Sequence, residues 1–398
     1  MAAASPFVFA RPEVASRVAQ WALGEDPFSP GEVSVFLAAP RRTGKSTFLV
    51  HDLLPELTSR GATPVYVDLW SQKSGDPGDL INEAVRKALD KQGRGVLDRI
   101  RGAGVTKAGL GSWLSFDLEK LGVPGGATLA EGLAALVRKG GGPVVVVVDE
   151  AQQALKSEAG RDAMFALKSA RDTINLDPTL TAGRPAALGL VFTGSHRDKL
   201  ASLVTGRDQP FFGSRIRDFP LLGRDYTEAY GRHVNGLLPP DRRIDPAEIE
   251  KAFDIVGRRP QYLHAAVTRY ATGDLGGERE FDSLLQLARD ERETHWDSYR
   301  RQWSNLNALQ QAVLKRIIGE GERFRPFDGE SLAAYSDALG EPIAAKDVQQ
   351  ALDGLREQEL VVRLERGRYS LEDPSIADWL RAEAASPEKD AAKPGSRP

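Results

Sequence analysis

The chain has 398 residues, and its 53 Lys and Arg residues against 56 Asp and Glu residues leave a formal net charge of −3. This balance singles out neither a nucleic-acid nor an anionic-membrane partner, and the absence of cysteine excludes disulfide frameworks, zinc knuckles and thiol nucleophiles. Because there is no apolar run of 18 residues and no signal-like N-terminus, we expect a cytoplasmic protein without a membrane span.

The first predicted elements are a short amphipathic helix and a phosphate-binding turn. The helix opens within Phe9-Ala10-Arg11-Pro12-Glu13. Residues 33–50 then indicate a buried strand, a polar turn and a helix that runs to about Arg60. Backbone N–H groups and a helix N-terminus in this order favour a phosphate. The predicted nucleotide-binding residues are Ala39, Pro40, Arg41, Arg42, Thr43, Gly44, Lys45, Ser46 and Thr47.

Within this turn, Lys45 is predicted to meet the β- and γ-phosphates, and the Ser46 hydroxyl to bind Mg²⁺. The turn departs from the usual motif at its first glycine position, which is Ala39. A methyl group is compatible with the turn if φ at that position is negative.

The next strands supply acidic and hydroxyl side chains. After a strand at 65–69, five consecutive valines at 144–148 predict a strand covered on both faces, as in a parallel sheet between helices. It ends at Asp149 and Glu150, which are expected to hold Mg²⁺ and to polarise an attacking water, respectively. A further apolar strand at 187–192 ends in Thr193-Gly194-Ser195-His196, where either Thr193 or Ser195 is expected to sense the γ-phosphate.

The fold class predicted from these strands is α/β, with a parallel sheet of the P-loop type sandwiched by helices. The glycine-rich stretch at 93–142 is interpreted as an insertion or partner surface, and it contains a helix behind the capping box Thr128-Leu129-Ala130-Glu131. The chain is divided into a P-loop core (1–222), a helical lid (223–300), a winged-helix domain of three helices and a hairpin (301–381) and a disordered tail (382–398).

The motifs resemble those of archaeal-type P-loop ATPases, which are related to the AAA+ and STAND groups and similar in layout to origin-recognition initiators. The resemblance rests on the turn at 39–46, the segment 148–152 and the strand end at 192–195, within a layout that spans residues 9–379. It implies slow, switch-like ATP hydrolysis with Mg²⁺ in an oligomer. It also implies that the box around Arg11 lies near the adenine.

Four arginines enter through the same resemblance. Arg215 falls near the place of an arginine finger that acts on a neighbouring subunit, with Arg217 as the alternative. Arg259, or its neighbour Arg258, lies at the start of a lid helix, where the family places a phosphate-sensing residue. The proposed catalytic set is therefore Glu150, Lys45 and Arg215.

The charge of the winged-helix region bears on the partner. Residues 303–381 carry ten basic and fourteen acidic side chains, and only the wing, with Arg363, Arg366 and Arg368, is locally positive. We therefore favour a switch that uses ATP to control a protein partner or self-association. The alternatives are an ATP-regulated DNA-binding protein that acts through the wing, and a nucleotide-binding scaffold without turnover.

Overall fold

The computed structural model describes residues 7–71, 75–102, 128–273, 283–365 and 367–385. The chain divides into two compact units, Met1–Pro220 and Leu221–Pro398. In the described ranges, no helix combines the length and the apolar character needed to span a bilayer.

The first unit contains a five-stranded parallel sheet. Its strands are β1 (Ser34–Ala38), β2 (Thr63–Asp68), β3 (Val144–Asp149), β4 (Leu188–Gly194) and β5 (Ile216–Asp218). They pair in the order β2-β3-β4-β1-β5. The strand before the phosphate-binding turn and the strand that ends in acids are therefore not neighbours, because β4 lies between β1 and β3. All five carboxyl ends share one edge, where ligands of open α/β sheets bind.

The five valines of β3 explain how the sheet is covered. All five are fully buried. Because side chains alternate along a strand, Val144, Val146 and Val148 pack into one hydrophobic layer, whereas Val145 and Val147 pack into the other. The predicted sheet with helices on both faces is confirmed.

The helices of the first unit form these two layers. They are α1 (Pro12–Ala22), α2 (Lys45–Phe48), α3 (Leu54–Ser59), α4 (Pro77–Gly102), α5 (Leu129–Gly140), α6 (Glu158–Leu176), α7 (Pro178–Thr181) and α8 (Arg197–Ala201). A π-helical segment (Leu49–Leu53) joins α2 to α3, and a 3-10 turn (Ala151–Lys156) follows β3. Helices α4, α5 and α6 contribute to one layer, and α1 together with the segment from α2 to α3 contributes to the other.

Helix α5 begins at the predicted capping box. The Glu131 N–H donates to Thr128 Oγ1 (3.2 Å), and the Thr128 N–H donates to Glu131 Oε2 (2.8 Å). These bonds satisfy two backbone donors at the start of the helix. Residues 103–127 of the glycine-rich stretch lie outside the described residues.

The second unit is mainly helical. Its elements are α9 (Arg224–Leu237), α10 (Pro246–Ile255), α11 (Pro260–Thr272), α12 (Leu284–Ser304), α13 (Ala308–Glu320), α14 (Gly329–Leu339), α15 (Ala345–Glu357), β6 (Val361–Glu365), β7 (Arg368–Leu371) and α16 (Ser375–Ala385). Short 3-10 turns occupy Pro240–Arg242 and Gly321–Arg323. Strands β6 and β7 form an antiparallel hairpin after three helices, which is the winged-helix arrangement.

The long helix α12 joins the two parts of this unit. It contacts α10 and α11, whereas Trp296 and Tyr299 near its C-terminal end belong to the core of the winged-helix region. The division expected at 300/301 therefore falls inside α12. Helix α16 extends four residues into the segment expected to be disordered, and 386–398 lie outside the described residues.

Candidate nucleotide-binding site

The turn after β1 has the backbone conformation that a phosphate-binding loop requires. Its left-handed residues are Arg42 (φ 67°) and Gly44 (φ 84°). Ala39 does not have a positive φ, so its methyl group causes no strain, and its N–H donates to the Gly194 carbonyl (3.2 Å). The Thr43 hydroxyl donates to the Pro40 carbonyl (2.8 Å) and closes the turn.

The lysine and serine of the turn meet the two acids that follow β3. Lys45 Nζ lies 2.7 Å from Glu150 Oε1 and 3.6 Å from Asp149 Oδ1. The Ser46 hydroxyl donates to Asp149 Oδ2 (2.6 Å). Because Lys45 and Asp149 are 6% and 1% exposed, these charges interact with little screening by water. The structure thus brings together four of the residues that the sequence singled out.

Strand β4 supplies two hydroxyl groups, which have different partners. The Thr193 hydroxyl donates to Asp149 Oδ1. The Ser195 hydroxyl donates to Glu150 Oε2 (2.7 Å). These contacts follow from the register, which pairs Val148 with Phe192 and so sets Thr193 beside Asp149. Of the two, Ser195 is the residue that reaches the acid expected to polarise water.

The environment keeps Glu150 ionised. Its burial by itself would raise the pKa, but the charge of Lys45 and the hydrogen bonds from Lys45, Ser195 and Gln152 outweigh burial, so that the pKa of Glu150 is lowered. The carboxylate is therefore the dominant form at neutral pH. Glu150 also has a left-handed backbone (φ 55°), an uncommon conformation for a residue with a side chain.

Three further side chains at this edge were not predicted to take part, and two of them, Asp68 and Tyr66, carry no motif signal. Asp68 ends β2 in register with Asp149, and burial together with the charges of Asp149 and Glu150 raises its pKa, although the Trp70 N–H opposes this. The Tyr66 hydroxyl donates to Asp149 Oδ2 at 3.5 Å. Gln152 donates to Glu150 Oε2 and to Ser195 Oγ. The strand order places Asp68 and Tyr66 beside Asp149, whereas Gln152 reaches Glu150 from the turn that directly follows it.

The box around Arg11 lies beside the helix that follows the phosphate-binding turn. The Arg11 guanidinium donates to the Pro220 carbonyl and stacks 4.4 Å from the ring centroid of Phe219. Phe219 in turn contacts Phe48 of α2, with ring centroids 5.0 Å apart. This arrangement holds the start of α1 next to the turn.

Two arginines near β5 have different surroundings. Arg215 is exposed. Arg217 donates to both carboxylate oxygens of Glu32 (3.3 and 3.4 Å) and lies 4.3 Å from the centroid of the Trp21 ring. Of the two, Arg215 is the one that extends from the surface.

The arginines at the start of α11 belong to the second unit. Arg258 is paired with Asp254 in the preceding helix (2.9 Å). Arg259 is 4% exposed and forms an ion pair with Asp373, with further hydrogen bonds to His295 (3.0 Å) and Ser375 (3.3 Å). In this structure the Arg259 charge is therefore neutralised within its own unit.

The residues at the sheet edge suit a magnesium nucleotide. A hydroxyl and a carboxylate oxygen, those of Ser46 and Asp149, are 2.6 Å apart, and both are ligands that Mg²⁺ prefers. In the part of the chain that the structure describes, no set of three or more His, Asp or Glu side chains forms a metal cage. Mg²⁺ sites commonly use one or two protein ligands together with substrate phosphates, which matches this donor set.

The fold and the site together define a P-loop NTPase core: a parallel sheet, a lysine-bearing turn after β1 and a pair of acids after β3, with one strand inserted between them. The helical segment and winged-helix region follow it in the chain. The predicted fold class is confirmed.

Similarity between this chain and known proteins is found among solved structures. No protein-family model matches the chain, and no curated protein matches it. Among solved structures, the chain is similar to the Orc1 protein of Aeropyrum pernix in complex with DNA, with 19% identity, coverage of 96% of this chain and 94% of that chain, and a TM-score of 0.38. It is also similar to Cdc6p from Pyrobaculum aerophilum, with 14% identity, coverage of 96% and 98%, and a TM-score of 0.34.

A structure of the Drosophila origin recognition complex bound to AT-rich DNA and Cdc6 contains a chain with 11% identity, coverage of 94% of both chains and a TM-score of 0.27. Each of these three chains is similar to this one over nearly its whole length.

Proposed function

We propose that the protein is a Mg²⁺-dependent ATPase that hydrolyses ATP slowly and uses its nucleotide state to control a partner. The observation that carries this proposal is the convergence of Lys45 and Ser46 on Glu150 and Asp149, with Nζ–Oε1 and Oγ–Oδ2 distances of 2.7 and 2.6 Å. A buried lysine, a hydroxyl and two carboxylates at one sheet edge are the side chains that phosphoryl transfer uses.

Each side chain has a separate role in the proposed mechanism. When ATP binds, Lys45 exchanges its contact with Glu150 for the β- and γ-phosphates, and the backbone N–H groups of the turn hold the same phosphates. Ser46 and Asp149 would hold Mg²⁺, which would supply positive charge next to the phosphate oxygens. Glu150 accepts a hydrogen bond from the attacking water and aligns it, and Ser195, which donates to Glu150 Oε2 (2.7 Å), is proposed to sense the γ-phosphate.

Two further arginines, Arg215 and Arg259, have proposed roles outside the site at the ends of β1, β3 and β4. Arg215 is exposed and is proposed to act on the nucleotide of a neighbouring copy, where a guanidinium stabilises the transition state. A phosphate-sensing role for Arg259 requires that it first leave Asp373, to which it is bound here. ATP-dependent assembly of copies of the chain is thus one part of the proposed switch, and release of the Arg259–Asp373 ion pair is another. We also propose a cytoplasmic location, where ATP is abundant.

The first experiment measures ATP affinity and hydrolysis in the wild type, Lys45→Ala and Glu150→Gln. Loss of a charged hydrogen-bonding partner costs about 1.5–3 kcal/mol, so Lys45→Ala should bind ATP about 10- to 100-fold more weakly. Glu150→Gln should bind ATP normally and hydrolyse it about 100-fold or more slowly, as expected when a catalytic base is lost. A scaffold without turnover would instead function normally with Gln at position 150.

The second experiment measures particle size by light scattering with ADP, ATP or no nucleotide. An assembly that appears only with ATP, and is lost in Lys45→Ala and in Arg215→Ala, supports a switch in which Arg215 completes the neighbouring site. Arg232→Ala on α9 removes a different exposed arginine and serves as the control. A monomer under every condition contradicts this part of the proposal.

A second candidate function is ATP-regulated DNA binding through the hairpin β6–β7. Arg363 and Arg368 of this hairpin are exposed, and Arg366, also part of the predicted wing, lies outside the described residues. A steep loss of DNA affinity with rising salt, weakened by Arg368→Ala, would favour this function. The acidic balance of residues 303–381 favours the control of a protein partner.

A further inference from the structure

Gln152 forms a closed triangle of hydrogen bonds with Glu150 and Ser195. Its Nε2 group donates to Glu150 Oε2 and to Ser195 Oγ (3.3 Å), and Ser195 donates to the same carboxylate oxygen (2.7 Å). Gln152 lies in the 3-10 turn directly after the acids and is 3% exposed. The triangle joins the ends of β3 and β4 on the side of Glu150 opposite to Lys45.

The burial of this amide is costly for the fold. Its Oε1 atom is buried and accepts no hydrogen bond from any part of the chain that the structure describes. A buried acceptor without a donor destabilises a protein, and an apolar side chain of similar volume would avoid that cost. The two donations to Glu150 and Ser195 are therefore what a glutamine provides at this position.

Gly194 provides the space that the amide occupies. A Cβ atom at this position would lie 2.6 Å from Gln152 Oε1, closer than such contacts allow. Gly194 does not have a positive φ, so its backbone conformation does not require glycine. The missing side chain at Gly194 is thus explained by the Gln152 amide, which fills the space that a Cβ atom would need.

The two carboxylate oxygens of Glu150 have separate partners. Oε1 receives Lys45, whereas Oε2 receives Ser195 and Gln152. When Lys45 turns to the phosphates, Oε1 becomes available to a water molecule while Oε2 stays held. We propose that Gln152 is a positioning residue, which together with Ser195 keeps the Glu150 carboxylate oriented for hydrolysis, and that Gly194 is required to admit it. This inference rests on the proposed ATPase function.

The arrangement predicts an effect on turnover and not on binding. Gln152 contacts neither Lys45 nor Ser46 through the hydrogen bonds of its amide, so ATP affinity should stay within about twofold. A displaced catalytic group can lower a rate by about 100-fold. We expect kcat to fall about 10- to 100-fold in Gln152→Leu, which keeps most of the volume and removes the donor.

The experiment measures single-turnover hydrolysis and ATP affinity in the wild type, Gln152→Leu and the control Gln153→Leu. Gln153 lies in the same turn, is also buried (9% exposed) and has no part in the triangle, so its variant should keep the wild-type kcat. Because Gln152 acts through Glu150, adding Gln152→Leu to Glu150→Gln should cause no further loss. A further loss in that background would overturn the positioning role.

A steric test uses Gly194. Gly194→Ala alone should lower kcat as Gln152→Ala does, because its methyl group would displace the amide. The double variant should be no slower than either single variant, since the shortened side chain leaves room for the methyl group. The variants Gly194→Ala and Gln152→Ala also test the proposal if Gln152→Leu fails to fold.

The outcomes separate the two proposals. Wild-type hydrolysis that is absent, or that is unaffected by Lys45→Ala, overturns the ATPase function and the role of Gln152 with it. Normal wild-type hydrolysis with an unchanged kcat in Gln152→Leu overturns only the positioning role. An equal loss of kcat in Gln153→Leu would do the same, because it would trace the effect to the turn and not to the triangle.

Discussion

Breaking the buried ion pair between Arg259 and Asp373 should strongly destabilise the second unit. Arg259, at the start of α11, is 4% exposed and donates to Asp373, which follows β7. Tyr299 of α12 donates to the same carboxylate (2.7 Å). The pair therefore links three segments that are distant in the chain, and its loss would leave the Arg259 charge buried without a counterion.

The perturbation is Asp373→Asn, which removes the charge and keeps the shape. Breaking a buried ion pair by neutralising one partner costs about 3–5 kcal/mol. The Asp373 side chain remains 22% exposed, so that some solvent reaches it. We therefore expect the free energy of unfolding to fall by about 3 kcal/mol, at the lower end of that range.

The matched control is Glu228→Gln. Glu228 pairs with Arg224 within α9 at 3.0 Å, but the two side chains are 47% and 74% exposed. Exposed pairs contribute less than about 1 kcal/mol. A second comparison adds Arg259→Met to Asp373→Asn, which should recover part of the loss because the uncompensated buried charge is then gone.

Urea unfolding followed by circular dichroism measures the change, and amide exchange of the peptides that cover α11, α12 and α16 assigns it to the second unit. The exchange data are needed because a chain of two units need not unfold in one step. If Asp373→Asn loses no more stability than Glu228→Gln, the reasoning from burial is refuted.

The remaining predictions concern pH, backbone strain and the metal site. Burial would raise the pKa of Asp373, but the Arg259 charge and the hydrogen bonds from Ser375 and Tyr299 lower it. The ionised Asp373 side chain therefore stabilises the fold fully at pH values above about 3.9, the ordinary pKa of aspartate, and this stabilisation is lost as the pH falls through the lowered pKa of the folded protein. Below about pH 4, wild-type stability should therefore decline more steeply with falling pH than that of Asp373→Asn. Gly44→Ala should lower the free energy of unfolding, measured by thermal unfolding, by about 1–2 kcal/mol, because φ at Gly44 is 84° and a methyl group there would strain the backbone without a steric clash. The control Gly236→Ala, which lies in α9 with open space around it, should not destabilise the chain. Thr193→Val removes the hydroxyl that holds Asp149, so the Mg²⁺ concentration needed for ATP binding should rise about tenfold, as is common when a residue that orients a metal ligand is lost; an unchanged Mg²⁺ dependence would contradict this role.

The local elements could be predicted because each depends on residues close together in the chain. Five valines in a row require apolar contacts on both faces, and the structure divides them between two layers. The helix α5 starts at its capping box because a hydroxyl and a carboxylate three residues apart satisfy each other's backbone donors. The winged-helix region follows the predicted order of three helices and a hairpin.

The partners of individual side chains could not be predicted in the same way. Thr193 and Ser195 are equivalent as hydroxyl groups at a strand end, and only the pairing of β4 with β3 gives one to Asp149 and the other to Glu150. Arg259 has a sequence context that suggests a phosphate, whereas its partner here, Asp373, lies 114 residues further along the chain.

The amino-acid sequence by itself determined the elements and the motif residues of the site, because backbone preferences and apolar periodicity act over a few neighbouring residues. The tertiary structure alone decided the order β2-β3-β4-β1-β5, and with it which side chains surround Glu150. The physical reason is that strand order depends on the joint packing of all the helices against both faces of the sheet. Gln152 and Gly194 illustrate this, since their fit to each other exists only once β3 and β4 lie side by side.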